Sequence, residues 1–563
     1  MSKRSTASCI AVIVVWLLVL AALAAGYRFV VVPWMAAGNQ QEQAVEAYDE
    51  LAARAAERGI TAAPLPDDAS LDEIDRLTDE LERRLTSAAA DNRPIDHRVA
   101  LSLDAFSGYA VLRSDDFRNR LADRRIAIDL VDDGADYPAR LDALATGRTP
   151  LAVFTVDALL RAAAASGDEP PATVVMVIDE TVGADGIVAR QSALPNIESL
   201  NRPDARVLAV PDSPSDTLAR VMLGNFALPD ASPSIIQPAD GPAEAFNAFR
   251  SADRNAPLAA ALWEPYLSQA LDLPDTHLLI DSGDFRGYIV DVLVAERRFL
   301  IDNEPVVRAI VEAYMESAYR VSRTPGGWAA LVRQDAQRLG EPLTPQQADR
   351  LVEGVWWKNT LENYAHFGLD SRSRAADLPT LDRVVANLTG VLRRTDAIAD
   401  DPLDGRPGRL YFDGILAAMQ ADAFHPGGTR GTSTETIRTA EAQPALDDAA
   451  WAALAPVGRL QTDRLVFARG TDRLTTASQR SLDELVDTLE SWPRYYVRVR
   501  GHARSIGDAD ANRRLAESRA QAATQYLVNA GVPRQRLRAV VAPELGQGGQ
   551  AQSVTFELGE PPY

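Results

Sequence analysis

Gly501-His502-Ala503-Arg504 is the stretch from which this chain is best interpreted. An alternating apolar segment, residues 496–500, precedes it and is typical of a strand. A helical pattern that contains Asn512 and Arg519 follows and continues to Val528. We therefore predict a strand, a polar loop and a helix, with the polar side chains gathered at the loop and along one side of the helix.

This segment resembles the OmpA-like peptidoglycan-binding domain, whose pattern reads G-H-x-D, then N-x-x-L-S, then x-R-A. The resemblance implies the bacterial periplasm as compartment and peptidoglycan as partner. It also implies that Arg519 pairs with the carboxylate of diaminopimelate in the wall peptide, and that Asn512 belongs to the same site.

Arg504 departs from the family, because an Asp that pairs with the ammonium of diaminopimelate stands there in the pattern. Losing one partner of a desolvated charge pair typically costs ~2–5 kcal/mol. Two alternatives stay open. Either Asp508 or Asp510 on the neighbouring loop replaces the acid, or the site has changed ligand.

A local excess of arginine favours the second alternative. Residues 491–540 hold ten arginines against three acids, in a chain whose net charge is −21. Such a cluster is suited to an anionic envelope polymer or lipid head group through bidentate contacts. For any single arginine, a solvated helix face explains the residue slightly better; only the cluster as a whole favours a binding surface.

Upstream, strand-like and helical segments alternate from residue 96 to about 400, which predicts a three-layer α/β domain. The first four predicted strands are residues 99–103, 126–131, 151–154 and 173–178.

Several segments here resemble the periplasmic substrate-binding proteins of nitrate/taurine/sulfonate-type ABC transporters. They are residues 186–189, 206–215, 261–266, 279–282 and 288–295. The resemblance implies two α/β lobes that close by a hinge around a ligand, which would settle at the carboxyl ends of the strands. We therefore expect a bilobal, type-2 periplasmic-binding-protein-like domain.

The candidate residues of the crevice combine hydroxyl groups, free amides and carboxylates. They are Ser107, Gly108, Tyr109, Asp157, Ser213, Ser215, Glu264 and Asp291. Hydroxyls and amides at a helix start suit an anion, whereas carboxylates favour an amine. Helix capping is an equally good explanation for each serine. The pattern thus predicts a small-molecule ligand and leaves its identity open.

The N-terminus carries Lys3 and Arg4 before an apolar run from Cys9 to Tyr27. Its length is close to the ~20 residues of a spanning helix, so we predict a single-pass inner-membrane anchor with the bulk of the chain in the periplasm. A cleavable signal ending near Ala24 is the alternative, which would give a secreted periplasmic or outer membrane-associated protein. Residues 36–95 have helical spacing and predict a stalk, or else helices that pack on the next domain.

Composition excludes several classes of function. The strong negative charge argues against nucleic acid as partner. Cys9 is the single cysteine and the five histidines lack ligand spacing, so the sequence implies no metal and no cofactor. Neither G-x-S-x-G nor a phosphate-binding loop occurs, and we predict a protein that is not an enzyme.

These patterns divide the chain into five parts: an anchor at 1–35, a stalk at 36–95, the substrate-binding-like domain at 96–400, an extension or linker at 401–458, and the OmpA-like domain at 459–563. They predict a membrane-anchored solute-binding or sensing protein that docks on the cell wall or on another envelope partner. Two alternatives are a substrate-binding component of an ABC transporter that works with a permease, and a non-enzymatic envelope scaffold with a degenerate cleft.

Overall fold

The computed structural model describes residues 94–167, 170–263, 266–370, 378–427, 435–438, 443–504, 506–543 and 553–562, with single positions and short pieces between 45 and 81. The chain forms two compact units, residues 1–96 and 97–563. No helix among these described residues is long and apolar enough to cross a membrane. The apolar run that we interpret as an anchor lies outside them.

In the first unit, helical positions from two stretches of sequence pack on each other. Tyr48 and Leu51 form one buried cluster with Ile74, Leu77 and Leu81. The last three residues recur at helical spacing in the sequence, and that spacing is what puts them on the same side of a helix.

The second unit contains fifteen strands and seventeen helices among its described residues. The strands are β1 (His97–Leu103), β2 (Ile126–Asp132), β3 (Leu151–Thr155), β4 (Ala172–Thr181), β5 (Asp185–Arg190), β6 (Arg206–Ala209), β7 (Ile236–Pro238), β8 (Leu258–Trp263), β9 (Thr276–Asp281), β10 (Val290–Glu296), β11 (Val355–Trp357), β12 (Ala455–Arg459), β13 (Tyr496–Gly501), β14 (Leu537–Val541) and β15 (Val554–Glu560). The helices are α1 (Ala110–Arg113), α2 (Asp115–Asp123), α3 (Tyr137–Ala145), α4 (Val156–Ser166), α5 (Pro214–Asn225), α6 (Pro242–Ser251), α7 (Tyr266–Leu271), α8 (Arg297–Asp302), α9 (Glu304–Arg323), α10 (Gly327–Leu339), α11 (Pro345–Gly354), α12 (Thr360–His366), α13 (Leu381–Arg394), α14 (Gly414–Ala421), α15 (Asp448–Ala453), α16 (Thr476–Ser491) and α17 (Ala509–Asn529).

Two sheets form the two lobes that the sequence predicts. The first lobe has a six-stranded sheet in the order β11-β4-β10-β3-β1-β2, and the second a five-stranded sheet in the order β7-β6-β8-β5-β9. The chain leaves the first lobe between β4 and β5 and returns between β9 and β10. Strands β3 and β4 are buried along their whole length, because helices cover both faces of this sheet. The bilobal α/β fold is therefore confirmed.

The OmpA-like domain is an α+β unit with a four-stranded sheet in the order β12-β15-β13-β14. β13 and β14 run parallel, and β15 is antiparallel to β12 and β13. Leu482, Leu485 and Leu489 of α16 are buried, as their spacing predicts. The sheet begins at Ala455, four residues before the predicted boundary.

The OmpA-like domain is docked on the second lobe. Ala227 N–H donates to the Arg459 carbonyl at 2.8 Å, and Gln461 N–H donates to the Asn225 carbonyl at 2.7 Å. Trp492 has no exposed surface, and its ring centroid lies 5.4 Å from that of Phe226 in the second lobe. Backbone pairing together with a buried aromatic anchor fixes the position of this domain.

Part of the predicted extension or linker packs on the first lobe. Phe412 N–H donates to the Val174 carbonyl of β4 at 2.9 Å, and Val174 N–H donates to the Leu410 carbonyl at 2.8 Å. Ile415 and Leu416 are fully buried in the same core. Although this region is rich in Asp, Pro and Gly, the apolar residues Leu410, Ile415 and Leu416 pack it against β4.

Candidate functional site

Four residues predicted for the crevice meet at the edge of the first lobe. A turn at Ser107–Tyr109 follows β1, and all three of its residues are buried. Tyr109 donates its hydroxyl proton to Asp291 Oδ1 at 2.5 Å. The Gly108 carbonyl accepts from Trp357 Nε1 at 2.8 Å. The Tyr109 hydroxyl and the Gly108 carbonyl of this turn are therefore hydrogen-bonded to other groups of the protein.

Asp179 also belongs to this cluster, although the sequence did not predict it as a site residue. It lies opposite Asp291 in the register of β4 and β10. Neither of its carboxylate oxygens accepts a hydrogen bond from a donor in the described part of the chain. Burial raises the pKa of Asp179 to about 7, and burial together with the Asp179 charge raises the pKa of Asp291 well above its usual range. A proton on one of the two carboxyl groups would supply a donor between Asp179 and Asp291, in addition to the Tyr109 hydroxyl.

We expect Asp179→Asn to remove much of a pH dependence of stability in the native chain. A folded-state pKa raised above the unfolded value contributes stability at low pH, and this contribution is lost as pH rises from about 4 to about 7. Urea unfolding should therefore show the native chain losing on the order of 4 kcal/mol more than Asp179→Asn over that range. The exposed Asp272→Asn is the matched control. Equal slopes for all three proteins would contradict the expectation.

A second group of predicted residues joins the two lobes. Thr217 of α5 donates its hydroxyl proton to Asp157 of α4, and Arg161 Nη1 of α4 lies 2.7 Å from Asp216 Oδ2 of α5. Asp157 is fully buried, as is Ser215. At this end of the crevice the two lobes are therefore in direct contact.

The two serines predicted for anion binding are engaged by the protein. Ser213 accepts from Asp216 N–H at 3.2 Å and so caps α5. Ser215 donates to Asp185 Oδ1 at 2.8 Å. Glu264 lies outside the described residues. The described crevice residues thus fall into two separate clusters. Tyr109 and Asp291 pair in the first lobe, and Asp157, Ser213 and Ser215 bond to protein groups where the two lobes meet.

A buried ion pair lies beside the first cluster. Lys358 Nζ is 2.6 Å from Glu180 Oε2, and both side chains are almost fully buried. Lys358 Nζ also lies 3.1 Å from the centre of the Trp356 ring, and Glu180 accepts from Gly287 N–H at 2.5 Å. The pair thus connects β4, the segment after β11 and the return crossing. The sequence carries one sign of this buried charged site. Asp179 and Glu180 are consecutive acids near the end of the otherwise apolar strand β4.

In the OmpA-like domain, the predicted loop is held by Asn512. Its Nδ2 donates to the carbonyls of Arg504 and Ile506 at 3.2 and 2.9 Å, and Arg504 Nε donates to its Oδ1 at 3.2 Å. Asp508 caps α17, since Ala511 N–H donates to it at 2.9 Å. Asp510 is exposed in the first turn of α17. Both candidate replacement acids are thus at the loop that carries Arg504.

Arg519 is buried against the same end of the domain. Its Nε donates to the Thr471 carbonyl at 2.9 Å, and its guanidinium carbon lies 4.9 Å from the centre of the Phe467 ring. Burial lowers its pKa. The guanidinium is held in a fixed position, as recognition of a carboxylate requires.

The arginines of residues 491–540 do not form one surface. Arg536 donates to the carbonyls of Leu489 and Tyr495 from a buried position. Arg498 and Arg500 both bond to Glu557. The side chains of Arg498, Arg500 and Arg536 therefore stabilise the domain. Only the remaining arginines of residues 491–540 are candidates for contact with an anionic polymer or lipid head group.

The two-lobed α/β body and the docked α+β unit both lie within residues 97–563, and the α+β unit is the part that matches a known family. The model of the OmpA family matches residues 466–552. The match contains the loop after β13 and the whole of α17.

Curated relatives align with this C-terminal part. The peptidoglycan-associated lipoprotein of Rhizobium meliloti (strain 1021) is 33% identical over 78 residues, which are 14% of this chain and 44% of the relative. That of Brucella abortus biovar 1 is 30% identical over 78 residues, 14% of this chain and 46% of the relative. The chain thus spans less than half the length of these relatives.

Solved structures of periplasmic binding proteins align with part of this chain. The periplasmic aliphatic sulphonate-binding protein of Escherichia coli has a TM-score of 0.41 at 18% identity, covering 62% of this chain and 98% of that one. The periplasmic nitrate-binding protein of Synechocystis PCC 6803 has a TM-score of 0.41 at 14% identity, covering 57% and 88%.

Proposed function

We propose that this chain is a cell-envelope protein that binds peptidoglycan through its OmpA-like domain and senses a small solute between its two lobes. The observation that carries the proposal is the docking of the OmpA-like domain on the second lobe. Trp492 lies against Phe226 of that lobe, and Arg286 N–H of the return crossing donates to the Ser491 carbonyl at 2.8 Å.

This attachment links the two binding functions mechanically. Binding proteins of two lobes open and close about their crossing segments. The OmpA-like domain contacts the second lobe and a crossing segment, and it also pairs with α13 through Arg383 and Glu490. We expect it to move with the second lobe when the crevice opens. Solute binding would then change the position of the wall-binding loop relative to the first lobe.

Peptidoglycan as the partner is supported by the match to the OmpA family, by the names of the aligned relatives and by the fixed position of Arg519. The same relatives support an envelope location. An inner-membrane anchor and a permease remain predictions.

We expect Arg519 to favour peptidoglycan binding and Arg504 to oppose it. We expect Arg519→Ala to weaken binding of the full chain to purified sacculi by about 10–100-fold, because one charged partner of the wall peptide is lost. Arg504→Asp should strengthen binding by about 10-fold or more, because it restores an acid for the ammonium. Co-sedimentation with sacculi measures both effects.

Arg480→Gln is the matched control, since Arg480 is exposed on α16 of the same domain. If native protein and Arg519→Ala sediment equally, the site carried over from the family is wrong. If Arg504→Asp fails to bind where the native chain binds, then the native Arg504 itself contacts the wall and the charge argument is reversed.

A second candidate function is an envelope scaffold whose crevice binds nothing. The observation that favours it is the internal pairing of Tyr109, Asp157 and Ser215. Thermal unfolding with a panel of sulphonates, nitrate and amines separates the two candidates. A ligand that binds only the folded state raises the melting temperature by mass action. A shift supports sensing, and its absence across the panel supports the scaffold.

A further inference from the structure

Arg161 of α4, in the first lobe, bonds to three groups of the second lobe. Its Nη1 donates to Asp212 Oδ1 at 3.0 Å and to Asp216 Oδ2 at 2.7 Å, and its Nη2 donates to Thr217 Oγ1 at 3.1 Å. Only 10% of the Arg161 side chain is exposed. Hydrogen bonds from a guanidinium to carboxylates are stronger and more directional than those between neutral groups. One side chain of the first lobe therefore holds the start of α5.

The acceptors of this guanidinium come from one turn and from the helix that follows it. Asp212 lies in the turn after β6 and has a φ of 58°, a left-handed conformation that few residues other than glycine adopt. Asp216, in the first turn of α5, is almost fully buried. A buried carboxylate is stable only when cations or hydrogen-bond donors compensate its charge. The turn and the helix start thus receive an organic cation, and Arg161 supplies it.

Each lobe also has its own partner of opposite charge for the groups of this contact. Arg161 Nε lies 3.8 Å from Asp157 Oδ2 on the same helix α4, and Asp216 Oδ2 lies 2.9 Å from Arg220 Nε on the same helix α5. The main penalty for breaking a buried ion pair is the charge that is left without a partner. Separation of the lobes leaves neither Arg161 nor Asp216 in that condition, so the contact can open and close.

The contact lies at the end of α5 that is distant from the crossing segments. Phe226, directly after α5, and Phe285 of the return crossing both have ring centroids 5.4 Å from that of Trp492. α5 has 12 residues and is therefore about 18 Å long. Gly183 of the first crossing has a φ of 134°, which glycine adopts readily, and such a residue suits a hinge. A lobe that rotates about the crossings moves most at the far end of α5, where Arg161 binds.

We propose that Arg161 is a latch that holds the crevice closed in the absence of a solute, an inference that rests on the proposed sensing function. Its guanidinium lies between a carboxylate of the first lobe, Asp157, and two carboxylates of the second, Asp212 and Asp216. Without a cation at this position the carboxylates of the two lobes repel one another, which favours an open crevice. The latch thus sets how readily the lobes separate around a solute.

The distance between the lobes tests the latch. Spin labels on Ala145→Cys of α3 and Ala248→Cys of α6, two exposed positions, report that distance by double electron–electron resonance in the full chain with Cys9→Ser. Without added solute, we expect one narrow distance. Arg161→Ala should raise the fraction of molecules at a second, open distance by about 10–100-fold, because charge-assisted hydrogen bonds between the lobes are lost.

Further variants separate release of the latch from loss of structure. Asp212→Asn changes a partner whose side chain is 70% exposed, so it should fold normally and raise the open fraction by a smaller factor. Millimolar methylguanidinium should restore the native distance in Arg161→Ala, because it can bridge the carboxylates of the two lobes as the native side chain does. Arg118→Ala is the matched control, since Arg118 is an exposed arginine that pairs with Asp115 of its own helix α2.

The proposal is overturned if Arg161→Ala keeps the single distance of the native chain, or if the native chain itself is open without solute. If Arg161→Ala does not fold, an unchanged distance in Asp212→Asn is decisive against the latch. An open distance that methylguanidinium fails to close would assign the effect to altered packing and overturn the latch as well. Solute binding is measured separately by thermal unfolding, so a latch that opens here without any thermal shift rejects sensing and leaves the latch standing.

Discussion

Trp492→Ala is expected to release the OmpA-like domain from the second lobe. The Trp492 ring is fully buried, and its centroid lies 5.4 Å from those of both Phe226 and Phe285. Truncating a buried tryptophan to alanine typically costs about 3–5 kcal/mol through lost contacts and the cavity left behind. We expect a loss of this size in denaturant unfolding, together with a larger radius of gyration in small-angle X-ray scattering.

Trp451→Ala separates release of the domain from simple loss of stability. Trp451, in α15 just before the OmpA-like domain, is buried against that domain, and its ring centroid lies 5.5 Å from that of Tyr496. This variant should lose comparable stability while the two domains stay docked. A radius of gyration that is unchanged in Trp492→Ala would show that backbone pairing alone holds the interface.

Lys358→Met should destabilise the first lobe by about 3–5 kcal/mol, because it leaves the carboxylate of Glu180 buried without its partner. In the described part of the chain, Glu180 then retains the N–H of Gly287 as its hydrogen-bond donor. The methionine keeps most of the side-chain volume, so the loss reports on charge rather than on packing. Chemical denaturation at pH 7 measures it.

The same variant should show a changed pH dependence. In the native chain burial, the largest single effect, favours a raised pKa for Glu180, but the charge and hydrogen bond of Lys358 together with the Gly287 N–H outweigh it, and the pKa lies below its usual range. Without Lys358 burial dominates and the pKa of Glu180 rises. A raised folded-state pKa contributes stability at low pH that is lost as pH rises. The deficit of Lys358→Met should therefore be smallest near pH 4 and grow toward pH 8.

The double variant Glu180→Gln/Lys358→Met tests whether the charge is responsible. A neutral pair of similar volume leaves no buried ion, so at least ~2 kcal/mol of the loss should return. A double variant as unstable as Lys358→Met would assign the loss to packing against Trp356 instead.

Periodicity predicted most strands and many helices of this chain. The residues predicted for the first four strands lie within β1 to β4, because short apolar runs rich in β-branched residues and bounded by polar segments are typical of buried strands. The extension was harder to interpret, since the Asp-, Pro- and Gly-rich residues 400–408 are typical of a linker, whereas the following Leu410, Ile415 and Leu416 are buried beside β4.

The candidate sites were predicted less completely. Asn512 and Arg519 could be found because the loop and α17 keep the spacing of a family pattern. Asp179 was missed, because only the register of β4 and β10 places it opposite Asp291, more than a hundred residues away in sequence. Arg161 was missed for a similar reason, since its partner Asp216 belongs to the other lobe.

The sequence by itself determined the two-lobed α/β body, the OmpA-like unit and the reversed charge at Arg504, because local periodicity and short motifs encode them. Only the tertiary structure decided that the OmpA-like domain is docked by Trp492, that crevice residues pair with one another, and that Arg161 joins the two lobes. The physical reason is that burial and pairing across long sequence separations depend on where sheets and helices pack, and no local pattern records that.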